Sequence, residues 1–157
     1  MSRRNAFAAA LVAATFLLLD SSAHAQGAAL ERRLASATRV ECRFETLATG
    51  DWNANSSSAA VTKVDHAATF FDIDVDGGTA EADGPFGTAF IVVRYAHGYL
   101  HFLQMSDAGP LHVTTVLAQE TTGGRLKAVQ TRHEYTPVAL PGFTSRPEMY
   151  IGDCAVT

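Results

Sequence analysis

From Val40 onward, apolar and polar residues alternate along most of this chain. Val40, Cys42 and Phe44 alternate with Glu41, Arg43 and Glu45, the period of two that marks a half-buried strand. Asn53 to Ser58 is small and polar and reads as a loop. Thr69, Phe71, Ile73 and Val75 then alternate with Phe70, Asp72, Asp74 and Asp76, and Gly77-Gly78 turns the chain. Thr79 to Asp83 runs back with Ala80 and Ala82 on one face, and Gly84-Pro85 breaks it. Thr88 to Tyr95 is apolar on both faces except Arg94, as in a strand covered on two sides or set in a tight barrel. Tyr99 to Met105 is the next strand, after a turn at Ala96-His97-Gly98 and before another at Ser106 to Pro110. Leu111 to Ala118 and Leu126 to His133 form a hairpin across Thr121 to Gly124. Pro137 to Pro147 is a proline-bounded loop, and Met149 to Val156 is the final strand.

The pattern contains one helical stretch, Gln26 to Thr38. There Leu30, Leu34 and Ala37 share a face, and Glu31, Arg32 and Arg33 are solvated. About eight short strands at roughly ten-residue spacing, with no long helix between them, cannot form a parallel sheet. The expectation is an all-β chain: a small antiparallel up-and-down barrel capped by a short N-terminal helix. A two-sheet β-sandwich is the alternative.

Upstream, Ser2-Arg3-Arg4 precedes an apolar run from Ala6 to Leu19, and Ala23-His24-Ala25 supplies small residues for a signal peptidase. Residues 1–25 read as a secretory signal peptide and residues 26–157 as a single β domain. The two arginines also fit a relaxed twin-arginine signal, so either export route is open. The run of 14 residues spans roughly 21 Å as a helix, too short for a ~30 Å hydrocarbon core. No membrane span is expected after cleavage. The predicted location is periplasmic or secreted.

Composition sharpens this. The chain has 157 residues, 47% hydrophobic and 18% charged, with 12 basic against 16 acidic residues. That excludes a disordered chain and a basic nucleic-acid binder. Removing residues 1–25 leaves a net charge near −5. Cys42 and Cys154 are the only cysteines. In an oxidising compartment an even count reads as a disulfide, here joining first strand to last. That bridge and the edges it would remove favour a closed sheet.

Chemistry-bearing motifs are few. Asp72 to Gly77 with Asp83 matches much of an EF-hand calcium loop. Such a loop needs flanking helices, whereas on a strand the three aspartates share one solvated face. His112 falls opposite Arg132 or His133 if the hairpin turns near residues 122–123, and a cross-strand surface pair is the reading; no metal is assigned. There is no Gly-x-Ser-x-Gly elbow and no phosphate loop, so neither enzyme activity nor a cofactor is expected. Arg132 shares the parity of Leu126 and Ala128, which would point it inward, where a guanidinium needs a partner or a cavity.

Gly50-Asp51-Trp52 resembles the lipocalin Gly-x-Trp signature, which implies a tryptophan plugging one barrel end. More broadly, Phe102, Thr114-Thr115-Val116, Ala128-Val129, Arg132-His133, Tyr150, Gly152 and Cys154 resemble a family of short exported bacterial proteins. Its members carry a Thr-Thr-Val strand, an Arg-His strand and a Tyr-Gly-x-Cys end, from which Ile151 departs as an insertion. This resemblance implies fold and compartment and supplies no activity. Two functions are expected: binding of a small, partly apolar ligand by Trp52, Phe90, Phe102 and Arg132, or interaction with an envelope protein partner through the loops at 53–58 and 137–147.

Overall fold

The computed structural model describes residues 25–53, 56–84, 87–105, 109–136 and 145–157. The expected signal peptide, the Pro85 break and the body of the 137–147 loop lie outside the described residues. A helix, α1 (25–35), precedes eight strands. These are β1 (Val40–Asn53), β2 (Ser56–Asp74), β3 (Thr79–Gly84), β4 (Gly87–Ala96), β5 (Tyr99–Met105), β6 (Leu111–Glu120), β7 (Leu126–His133) and β8 (Glu148–Val156). Each pairs antiparallel with the next, and β8 returns to β1, so one sheet closes in a ring. The seam is covalent: Cys42 and Cys154 stand opposite one another on β1 and β8 and form a disulfide.

Alternation carries one residue in two into the ring. On β5, Leu100 and Phe102 are buried; on β6, Thr114 and Val116; on β7, Leu126, Ala128 and Gln130. α1 lies across one end. Leu34 and Ala37 are buried against the core and Leu30 packs on it. Arg33 donates to the Val156 carbonyl at 3.2 Å and pairs with Glu120 at 3.6 Å. Thr38 and Arg39 both donate their backbone N–H to Thr157 O. The helix is therefore tied to both chain ends of the barrel and excludes water from that end.

Three expectations are corrected. The loop at 53–58 is absent in its second half: β2 is already paired at Ser56, and β1 and β2 run together as a long ribbon. Ser56–Lys63 is exposed on both faces, so it shows no apolar alternation to read. The strand face of aspartates also fails. Asp72 has a positive φ of 49° and the β2–β3 register shifts between Phe71 and Asp74. This bulge flips parity, so that Phe70 and Ile73 are the buried residues. Asp74 instead accepts from Gly77 N–H in the turn, with Val75 and Asp76 already outside the strand. Finally, of the two settings expected for β4 only the closed ring holds, and the strand is not covered on two sides: Ile91 and Val93 are buried, but Phe90 and Val92 are on the outer face, and Phe90 is 85% exposed.

Candidate functional site

The inward positions change character along the barrel axis. Near α1 they are Val40, Leu100, Val116 and Leu126. Towards the other end the same parity gives Gln104 on β5, His112 on β6, Gln130 and Arg132 on β7, and Glu148 on β8. The polar half surrounds a cavity of about 510 Å³. Its apolar floor and side are Phe70, Ala68 and Ala82. His66, Gln104, His112, Gln130, Arg132, Glu134 and Asp83 supply its polar lining.

Most of the inward polar groups are tied to one another. His66 Nε2 and Gln130 Oε1 are 2.7 Å apart, and Gln130 Nε2 donates to Thr114 Oγ1 at 2.9 Å. Tyr150 sets its ring 4.5 Å from that of His66, tilted by 35°, and donates its hydroxyl to Glu148 at 2.8 Å. Arg132 lies between carboxylates: Nε donates to Glu134 at 2.7 Å, and Nη1 stands 3.6 Å from Glu148. Its Nη2 also donates to Ser145 Oγ at 3.2 Å. No buried side-chain nitrogen or oxygen among the described residues lacks a partner. The network is thus a fixed polar wall.

The wall sets the local charge. Burial and then the Arg132 charge push the His112 imidazole below its ordinary 6.5, against the pull of Glu134 and Glu148. His112 is therefore neutral at neutral pH. A hydrogen bond from Ser145, and then the Arg132 guanidinium, hold the Glu134 carboxyl below its ordinary value despite desolvation. Burial, with the hydrogen bond to Glu148, pushes the Tyr150 hydroxyl up to about 12. Arg132 is engaged by the carboxylates of Glu134 and Glu148, and the lining itself carries Glu134 and Asp83. The wall is net negative and Arg132 has no fork left for an anion.

The residues singled out in the sequence do not gather in one place. Arg132 lines the cavity. Phe102 is inside the barrel but sealed beneath it, stacked 4.1 Å from Phe70. Phe90 is turned outward, because the inward parity of β4 belongs to Ile91 and Val93. Trp52 plugs no barrel end: it sits near the tip of the β1–β2 ribbon, 54% exposed, edge-on to Tyr135 at 5.1 Å. The ribbon outruns the barrel there, which carries Trp52 away from the lumen. His112 is opposite Arg132, while His133 faces outward and is exposed. Among the described residues no group of three or more His, Cys, Asp or Glu could hold a metal ion.

Sequence reasoning missed His66, Gln130, Glu134, Glu148 and Tyr150. On β5 to β8 the signal was present: the even-numbered residues face inward, and polar types collect at one end of each strand. Compared with protein-family models, curated proteins and solved structures, the chain matches none. Among the described residues no helix is long and apolar enough to cross a membrane. The disulfide fits an oxidising compartment.

Proposed function

We propose that this is an exported, periplasmic or secreted β-barrel protein that binds one small, partly apolar ligand in the open half of its lumen. The observation that carries this reading is the cavity of about 510 Å³ with an apolar floor and a preorganised polar wall, the usual make-up of a small-molecule site. An eight-stranded ring leaves room for little more than one such molecule. Because Arg132 is held by Glu134 and Glu148, the fitting ligand is neutral or cationic. Gln130, His66 and His112 would meet its polar end and Phe70 its apolar body.

Native mass spectrometry of the unreduced protein, purified from a bacterial periplasm, tests this. The expected result is a retained small molecule that is lost in Ala68→Phe, which fills the cavity from β2 and leaves the outer face untouched. Retention that survives Ala68→Phe places the ligand elsewhere. A clean mass, together with no saturable binding of aromatic amines, sinks the reading. A second reading, an envelope protein partner, is favoured by the exposed Phe90, Val92 and Met105 on β4 and β5. Phe90→Ser would then abolish co-purification of that partner while leaving small-molecule retention intact.

A further inference from the structure

Two polar side chains of the cavity stand apart from the rest of its wall. His66 and Gln130 are bound to each other, and Gln130 also to Thr114. Arg132 is bound to Glu134 and Ser145 and paired with Glu148. Gln104 and His112 also line the cavity. Yet neither has a hydrogen-bond or ion-pair partner among the described residues. No partnerless side-chain nitrogen or oxygen there is fully buried, so the polar atoms of both stay open to solvent in the cavity.

The two are neighbours by register. β5 and β6 pair with Gln104 directly opposite His112. Both share the inward parity of buried residues, Leu100 and Phe102 on β5 and Thr114 and Val116 on β6. Facing positions of this kind set Cβ atoms about 5 Å apart, so the two polar tips can reach one ligand group. The Gln104 amide offers one acceptor and two donors; a neutral imidazole offers one donor and one acceptor. An apolar group set against them would strip both of water without compensation. What satisfies both at once is a group carrying an N–H beside a carbonyl.

Charge rules out the competing polar ends. Arg132 stands opposite His112 on β7. Burial and that guanidinium already disfavour a proton on the imidazole, and an ammonium at the same spot meets the same two penalties. A carboxylate would share the lining with Glu134 and Asp83, while the Arg132 guanidinium is taken by Glu134 and Glu148.

We propose that Gln104 and His112 form the recognition edge of the cavity, and that its ligand is a neutral molecule presenting a primary carboxamide or a lactam to them. This rests on the cavity as the binding site and narrows its ligand class. A site built to hydrogen-bond one group rejects analogues that lack it, because its own polar atoms are then left unpaired.

Benzamide, benzoate and benzylamine carry the same aromatic ring and differ at the polar end. Each is titrated into the unreduced protein and followed by backbone amide NMR shifts. Benzamide is expected to bind at least tenfold more tightly than either charged analogue. Gln104→Leu and His112→Leu should each weaken benzamide by about tenfold. Gln104→Glu keeps the shape but exchanges the donors for a charge, and is expected to reverse the order of benzamide and benzylamine. A damaged fold would weaken both and reverse nothing. No saturable binding of benzamide overturns the proposal. So does equal affinity for the three probes, a benzamide preference that survives both leucine variants, or an order unchanged in Gln104→Glu. Ala68→Phe separates this outcome from failure of the cavity itself. Binding that Ala68→Phe abolishes, but that shows no amide preference, sinks the recognition edge and leaves the cavity as the site.

Discussion

At the scale of single residues, the open half of the lumen rests on His112 staying neutral. Burial and Arg132 hold its pKa below the ordinary 6.5. A histidine depressed in the fold binds its proton more readily in the unfolded chain. Its contribution to stability is thus complete above about 6.5 and is lost as pH falls through the folded value. Urea midpoints measured on a falling pH series should therefore drop below that point, and His112→Gln should flatten the drop. Parallel curves for the two proteins would remove His112 as the cause. Glu134 acts in the same direction, but only below its ordinary 4.5, so it adds to the loss at the acid end of the series. Parity alone placed Arg132 inward in the sequence. What parity could not supply was its state: two carboxylates from Glu134 and Glu148 reach it across the strand end and from β8. The partner that an inward guanidinium needs is thus supplied twice over.

At the scale of elements, period-two alternation was enough to find strands wherever one face was buried, as in β1 near Cys42 and in β5, β6 and β7. It failed where that condition lapsed. The outer half of β2 buries neither face, so its start at Ser56–Ser58 falls within the stretch that reads as a loop. A bulge at Asp72 flipped parity, so Phe71 was placed inward in place of Phe70. One element position shows how tightly the ring is closed. Gly152 on β8 stands opposite Phe44 of β1, beside the register shift between Phe44 and Thr46. A Cβ there would lie 2.0 Å from the Arg43 carbonyl oxygen and 2.7 Å from Phe44 Cα. Both are backbone atoms and cannot swing aside. Gly152→Ala is expected to lower unfolding free energy by at least ~1–3 kcal/mol, the usual cost of overpacking. Gly27 of α1 has nothing within 4 Å of a Cβ. Gly27→Ala is expected to be neutral or to stabilise by up to ~1 kcal/mol through helix propensity. Equal effects at the two sites in urea denaturation would contradict the close approach of β1 and β8.

At the scale of the whole molecule, closure is the costly step, because β1 and β8 are separated by nearly the full length of the domain. Every other pairing joins strands adjacent in sequence and closes a short loop, whereas the seam closes one of 112 residues. The Cys42–Cys154 bridge sits within that seam and restricts the unfolded chain to conformations in which the two strands are already near each other. By the chain-entropy account a loop of about 100 residues gives ~4.7 kcal/mol, and removing a native bridge from a small exported domain usually costs ~2–5 kcal/mol. The seam also has backbone pairs from Val40↔Val156 to Thr49↔Glu148, and these do not depend on sulfur. The Cys42→Ala/Cys154→Ala protein is therefore expected to keep its β-sheet circular dichroism while losing stability in that range. Reductant should reproduce the loss in the wild type and leave the double variant unchanged. The same two proteins separate two origins of the loss. If the bridge acts through the unfolded chain, the urea midpoint falls and the dependence on denaturant steepens, because the freed chain exposes more surface. If instead the ring opens between β1 and β8, the sheet signal falls in native buffer and the cavity lining on β2 and β7, the strands paired with β1 and β8, loses its fixed geometry, taking ligand retention with it.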